Sequence, residues 1–257
     1  MPKVVLRFIK VSRKFWGVAI FLATWQLLVS FNVMYPLMFG NLPSPVQVVT
    51  ALLKLLQDQG FYYHIFSSFI RIALGSVAAL VIAVPLGLFI GLSGWGREVL
   101  FPVFEMLRPI PQISWIPVAI LLFPTVEGSI LYITFLGAFF PILINTIAGV
   151  KSIPQVLLDA AKSMGARHRQ IVTRVVFPAV LPFIFTGFTV GTGVSWMSVI
   201  AAEMISGKFG IGYFTWTSYT LMAYADTIVG MVVIGAMGSL CFSMIRGAER
   251  KLVKWRY

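Results

Sequence analysis

The chain has 257 residues, 59% of them hydrophobic and 11% charged, with a mean hydropathy of +0.92. Soluble domains run at about 45–50% apolar and about 25% charged, so a soluble domain is excluded and an all-α polytopic membrane protein is indicated. The formal net charge of +12 admits nucleic acid or an anionic membrane surface as a partner, and only the placement of the charges separates the two.

In chain order, residues 1–14 set Lys3, Arg7, Lys10 and Lys14 on one helical face and Val4, Phe8 and Val11 on another. That is the pattern of a cytoplasmic amphipathic segment lying on an anionic leaflet. The remainder, 15–257, reads as one transmembrane domain. Its first span covers about 15–35, just long enough to cross. A secretory signal also begins basic and then apolar, but Asn32-Val33-Met34-Tyr35 offers no small-residue cleavage site, so a retained anchor is expected. A loop with Pro36, Pro43 and Pro45 and an amphipathic piece near 46–56 precedes a second span at about 65–92. The third, about 99–123, contains RPIPQISWIP, which predicts strong irregularity because each proline frees a carbonyl and bends the helix. The fourth is expected at about 129–150, the fifth at about 177–205 and the last at about 226–245, about six spans in all.

Orientation follows from the basic residues. With the N-terminus inside, sixteen of the twenty Lys and Arg residues fall in cytoplasmic segments and only Lys54 and Lys208 outside, which the positive-inside rule strongly favours. The positive balance is therefore topology and not a nucleic-acid groove. Both termini and the loop 151–178 are expected in the cytoplasm.

That loop is a basic island in an otherwise apolar chain. Leu157, Leu158, Ala161 and Met164 lie at helical spacing before Gly165, and Ile171, Val172, Val175 and Val176 after it. Gly165 stands where a helix C-terminus favours a left-handed residue. Pro178 and Pro182 are expected to stop the second helix or open the next. A helical hairpin rich in arginine between two spans suits the docking of a soluble partner, although a hairpin of no special role has the same local pattern.

The string D-A-A-x3-G-x9-V-x-F-P, from Asp159 to Pro178, closely resembles the EAA loop of permease subunits in ATP-binding-cassette (ABC) importers, with Asp159, Val175 and Phe177 as mild departures. The resemblance implies the type I importer permease fold. It also implies that Asp159, Ala160, Ala161, Gly165, Arg167, Arg169, Arg174 and Pro178 form a surface docking one of two ABC ATPase subunits. A second permease copy, most simply a homodimer, and an extracytoplasmic solute-binding protein would complete the assembly in the inner membrane. ATP and Mg would be bound by the ATPase and no cofactor by this chain. RPIPQISWIP, LPSPVQVVTAL, PILINTIAGV and AAEMISGKFGIGY resemble the nitrate/sulfonate/taurine branch of that family from about residue 40 onward. The turn LFPTVE, ending at Glu127, is closer to nitrate and bicarbonate permeases than to taurine ones.

Within the spans, Gly87 and Gly91, Gly187, Gly191 and Gly193, and Gly230, Gly235 and Gly238 have the spacing of close helix contacts, static or sliding. Charges there are few. Glu105 and Arg108 are three apart and able to pair, as a structural pair or as a charge in the pathway. Arg71 is expected to snorkel more readily than to bind an anion, and Glu203 to make a structural contact. Arg108, Gln112, Ser114, Asn145, Thr189, Thr192 and Ser195 are candidates for lining the path. His64 and His168 are too far apart in the chain to suggest a ligand cluster, and the single Cys241 rules out an intrachain disulfide. No phosphate-binding G-x4-G-K-[ST], H-E-x-x-H or nucleophile elbow occurs, so the chain is expected to be a translocating subunit and not an enzyme. An ion-driven secondary transporter would want internal repeats and midplane carboxylates, and a membrane scaffold would not need proline-broken spans. Neither fits as well.

Overall fold

The computed structural model describes residues 3–32 and 38–254, with side chains from Trp16 onward; the faces expected of residues 1–14 lie outside the described side chains. Helices make up 86% of the structure and no strand occurs among the described residues. Four helices are long and apolar enough to cross a membrane, within Gln59–Leu92, Val126–Lys151, His168–Ser206 and Tyr224–Leu252, and Trp16–Ser30 and Gln112–Leu122 are shorter apolar stretches. The chain divides into two compact units, Met1–Tyr62 with Phe214–Val232, and Tyr63–Tyr213 with Val233–Tyr257.

The first unit contains α1 (Lys3–Ser30), α2 (Pro45–Leu55) and the first residues of α3 (Gln59–Leu92). The string L-P-S-P-V-Q starts α2 by a reciprocal cap. The Gln47 amide donates to Ser44 Oγ at 3.3 Å, and the Ser44 amide donates to Gln47 Oε1 at 2.7 Å. Pro45 fills the first helical position, where its missing N–H costs nothing.

In the second unit the long helices are α3, α6 (Val126–Lys151), α9 (Phe177–Ser206) and the later part of α11 (Tyr224–Leu252). The buried core gathers on α6, where Leu136, Ala138, Phe139, Ile142 and Leu143 meet Ala79, Ala83 and Ile90 of α3. Glycine permits the closest approach. A Cβ at Gly191 or Gly187 of α9 would stand 2.9 Å from backbone atoms of α6, and one at Gly91 of α3 would stand 2.7 Å from Val150. These three positions are close helix contacts of the kind small residues permit between spans.

The expected third span is broken. It comes as α4 (Phe101–Leu107), a 3-10 turn at Gln112–Trp115 and α5 (Ile116–Leu122); each helix is seven residues long, about 10 Å at 1.5 Å per residue. Pro102 and Pro117 sit in the first turns of their helices, and Arg108–Pro111 separates them.

Two wide π-turns, Gly96–Leu100 and Val172–Val176, each run straight into a Phe-Pro pair, Phe101-Pro102 and Phe177-Pro178. Their closing bonds reach back five residues, from the Phe101 amide to the Gly96 carbonyl and from the Phe177 amide to the Val172 carbonyl. A proline in a regular α-helix clashes with the carbonyl four residues back, and the widened turn relieves that clash. Pro178 therefore neither stops nor starts a separate rod: His168–Ser206 runs on as one apolar helical stretch.

Candidate functional site

The hairpin is built by α7 (Gln155–Ser163) and α8 (His168–Ile171). Its turn is a Schellman closure. The Ala166 amide donates to the Ala161 carbonyl at 3.1 Å and the Gly165 amide to the Lys162 carbonyl at 2.9 Å. Gly165 takes φ +75, the left-handed conformation that only glycine adopts without strain. Ala161, whose carbonyl takes the longer-range bond, is buried with Ile171, Val176 and Val180, and Ala166 packs against the same cluster. The A-A-x3-G spacing is thus a backbone requirement: a small residue under the turn and a glycine four later. The second helix begins on half a capping box, with the Arg167 amide donating to Gln170 Oε1 at 2.8 Å.

What the hairpin shows to its surroundings is mixed. Val156 is 76% and Met164 81% exposed, and Ala160, Arg167, Arg169 and Arg174 are exposed beside them. Asp159 is held on its own helix by Gln155 at 3.2 Å and Lys162 at 3.4 Å. The three arginines make no ion pair among the described residues. Apolar anchors with free guanidinium groups beside them are the composition of a protein-binding patch.

A second centre lies at the other end of the same unit. Arg71 of α3 is 3% exposed and Glu203 of α9 is 0% exposed, so Arg71 does not snorkel. Its Nη1 donates to Glu203 Oε1 and to the Phe209 carbonyl, both at 2.7 Å. Its Nε and Nη2 grip both oxygens of Glu127, at the start of α6, in a fork. Glu203 also accepts from the Ser68 hydroxyl at 2.7 Å and from the Gly212 amide at 2.9 Å. The Ile211 amide donates to Ser68 Oγ at 2.8 Å and the Gly210 amide to His64 Nδ1 at 3.0 Å. Three successive amides, of Gly210 in the loop 207–210 and of Ile211 and Gly212 at the start of α10 (Ile211–Thr220), are therefore seated on α3 and α9, which accounts for the E-x3-G-x2-G-x-G pattern in AAEMISGKFGIGY. Glu203 makes the structural contact expected of it. Glu127 was passed over in the sequence because its partner is 56 positions away and no local spacing announces it.

The path candidates do not converge on one point. Ser195 is fully buried, and its hydroxyl donates to the Thr134 carbonyl of α6 at 2.8 Å. Thr192 and Thr189 donate to Phe188 and Phe185 carbonyls of their own helix, and Asn145 Nδ2 donates to the Pro141 carbonyl. The three hydroxyl protons are committed to the protein, and Asn145 keeps one amide N–H beyond its bond to Pro141. Arg108, Gln112 and Ser114 differ: Arg108 and Ser114 are exposed and Gln112 half-buried along the broken third span. Glu105 and Arg108 are both exposed and form no ion pair with each other; the helix that carries Glu105 ends at Leu107, before Arg108.

A bundle of long apolar helices, one of them interrupted by prolines, carrying a capped basic hairpin between two spans, defines the membrane-spanning part of a type I ABC importer. Residues 83–253 match the family described as the binding-protein-dependent transport system inner membrane component, and the chain belongs to that family. It is 34% identical over 253 residues to the nitrate import permease protein of Synechocystis, covering 95% of this chain and 90% of that one. With the taurine transport system permease protein of Escherichia coli it shares 33% over 242 residues, covering 92% and 87%. Among solved structures, the inward-facing MetNI methionine ABC transporter matches with a TM-score of 0.60 over 79% of this chain and 96% of that one; at 20% identity this speaks for the fold alone. The chain is accordingly the permease subunit of an ABC importer, with ATP hydrolysis in a separate subunit and a binding protein as the other partner. Family membership removes the ion-driven alternative.

Proposed function

We propose that the chain carries a small anion of the nitrate, sulfonate, taurine or bicarbonate type, delivered by an extracytoplasmic binding protein, through a pathway shared with a second copy of itself. Two ATPases, which bind the ATP and Mg, dock on the cytoplasmic hairpins 151–178 of the two copies, and both termini lie in the cytoplasm. The relatives named for nitrate and taurine support the substrate class. Arg108, Gln112 and Ser114 are path candidates with uncommitted donors, and an anion needs donors; the hydroxyls of Thr189, Thr192 and Ser195 and one N–H of Asn145 go to helix carbonyls. The observation that carries the docking reading is the rigid turn at Gly165, which presents Met164, Arg167 and Arg169 in a fixed arrangement.

The test is Gly165→Asp. At φ +75 with no atom within 4 Å of the added Cβ, the change strains the turn and adds a negative charge beside the arginines without touching the core. Membrane insertion is expected to persist and uptake to fall to background. Normal uptake by an inserted variant would rule out the docking role.

A further inference from the structure

The three acidic and basic side chains of the outer centre are not equivalent. Glu203 is satisfied from Ser68, Gly212 and Arg71 at once and has no exposed surface. Glu127 has 47% of its side chain exposed, and both of its hydrogen bonds go to Arg71. If Glu127 leaves, Arg71 keeps Glu203 and the Phe209 carbonyl, the buried charge stays neutral, and the freed carboxylate is already at the solvent edge. If Arg71 and Glu203 part, a buried charge is stranded on each side. The Glu127 contact is the less costly of the two to break.

The corner that carries Glu127 is itself a unit. Thr125 caps α6 by accepting from the Gly128 amide at 3.2 Å, Ser129 donates its hydroxyl proton to the Ala119 carbonyl of α5 at 3.1 Å, and Phe123 packs on Tyr132 with centroids 5.3 Å apart. Resting on the orientation and ATP-driven reading above, we propose that Arg71 and Glu203 are positioning residues of the transport cycle. They hold the outer ends of α3 and α9 and the segment 207–212 as one body. Glu127 is the releasable arm through which the α5–α6 corner parts from that body when the pathway opens outward.

Spin labels test this without removing any charge. In a Cys241→Ala background, cysteine pairs replace Ile70 with Val126, or Ile70 with Ile205, all of them exposed positions. The labelled chain is diluted with unlabelled permease, assembled with ATPase and binding protein in lipid, and measured by electron paramagnetic resonance without nucleotide and after vanadate trapping. The 70–126 separation is expected to lengthen on trapping while 70–205 stays fixed. Adding Glu127→Gln should broaden or lengthen the 70–126 distribution even without nucleotide. An unchanged 70–126 separation in a complex that hydrolyses ATP would overturn the inference and leave the transport function standing, as would equal movement of both pairs or a Glu127→Gln distribution identical to that of the parent. A complex that hydrolyses no ATP would overturn the transport reading, and this inference with it.

Discussion

Arg71 sits in α3 with 3% exposure and two carboxylates on it. Within a span such a charge is tolerated only because its partners arrive from α6 and α9. Replacing it by methionine would leave Glu203, fully buried, with Ser68 and Gly212 alone. Removing one partner of a buried pair typically costs about 3–5 kcal/mol. Thermal unfolding of the purified complex should show a loss of that order for Arg71→Met and a smaller one when Glu203→Gln is added, because the two changes share a partner. Losses that simply add would mean the pair does not act as a unit. Legibility at this scale depends on distance along the chain. Gly165 could be read from the sequence because its turn is closed by neighbours within five residues. Arg71 was expected at the interface because its partners lie 56 and 132 positions away. The Glu105–Arg108 spacing suggested a pair, yet both side chains face outward, and spacing on one helix carries no information about which side of it is buried.

The broken third span and the two π-turns are the same difficulty handled in two ways. RPIPQISWIP contains prolines too close together for one helix, and the chain splits there into α4 and α5, as the prolines predict. At Pro102 and Pro178 the helix continues across a widened turn. Nothing in composition marks that choice, because a π-turn needs only small backbone adjustments that most residues accommodate. Gly96–Leu100 lies between α3 and α4, and Val172–Val176 between the hairpin and α9, so the second sets how the hairpin is turned about the span that follows it. Inserting an alanine after Thr173, which is exposed, adds a residue beyond the one the widened turn already absorbs and would rotate α8 by about 100° relative to α9, one residue at 3.6 per turn. The complex should still insert, with binding-protein-stimulated ATP turnover reduced at least about tenfold, the loss expected when about 1.4 kcal/mol of coupling disappears. Wild-type turnover would show that the register of the hairpin does not matter.

Across the whole molecule, one end of the larger unit carries a buried charge centre under the segment 207–212 and the other a capped hairpin with free arginines. α3, α6 and α9 join them through contacts close enough to require glycine. Force applied at the hairpin has a stiff route along α3 and α9 to the far end, since packed helices move as bodies and do not deform continuously, and the first turn of α6 is tied to that end through Glu127. Substrate choice is the least legible property, because donors such as those of Arg108, Gln112 and Ser114 suit any small anion. The central claim is that this hairpin couples ATP hydrolysis to movement of such an anion. The most direct measurement is ATP turnover by the purified permease–ATPase complex in lipid, with its binding protein, against nitrate, bicarbonate, taurine and alkanesulfonates. One of these anions should raise turnover, and Gly165→Asp should abolish the rise. Turnover indifferent to every anion, or a rise that survives Gly165→Asp, would contradict the account.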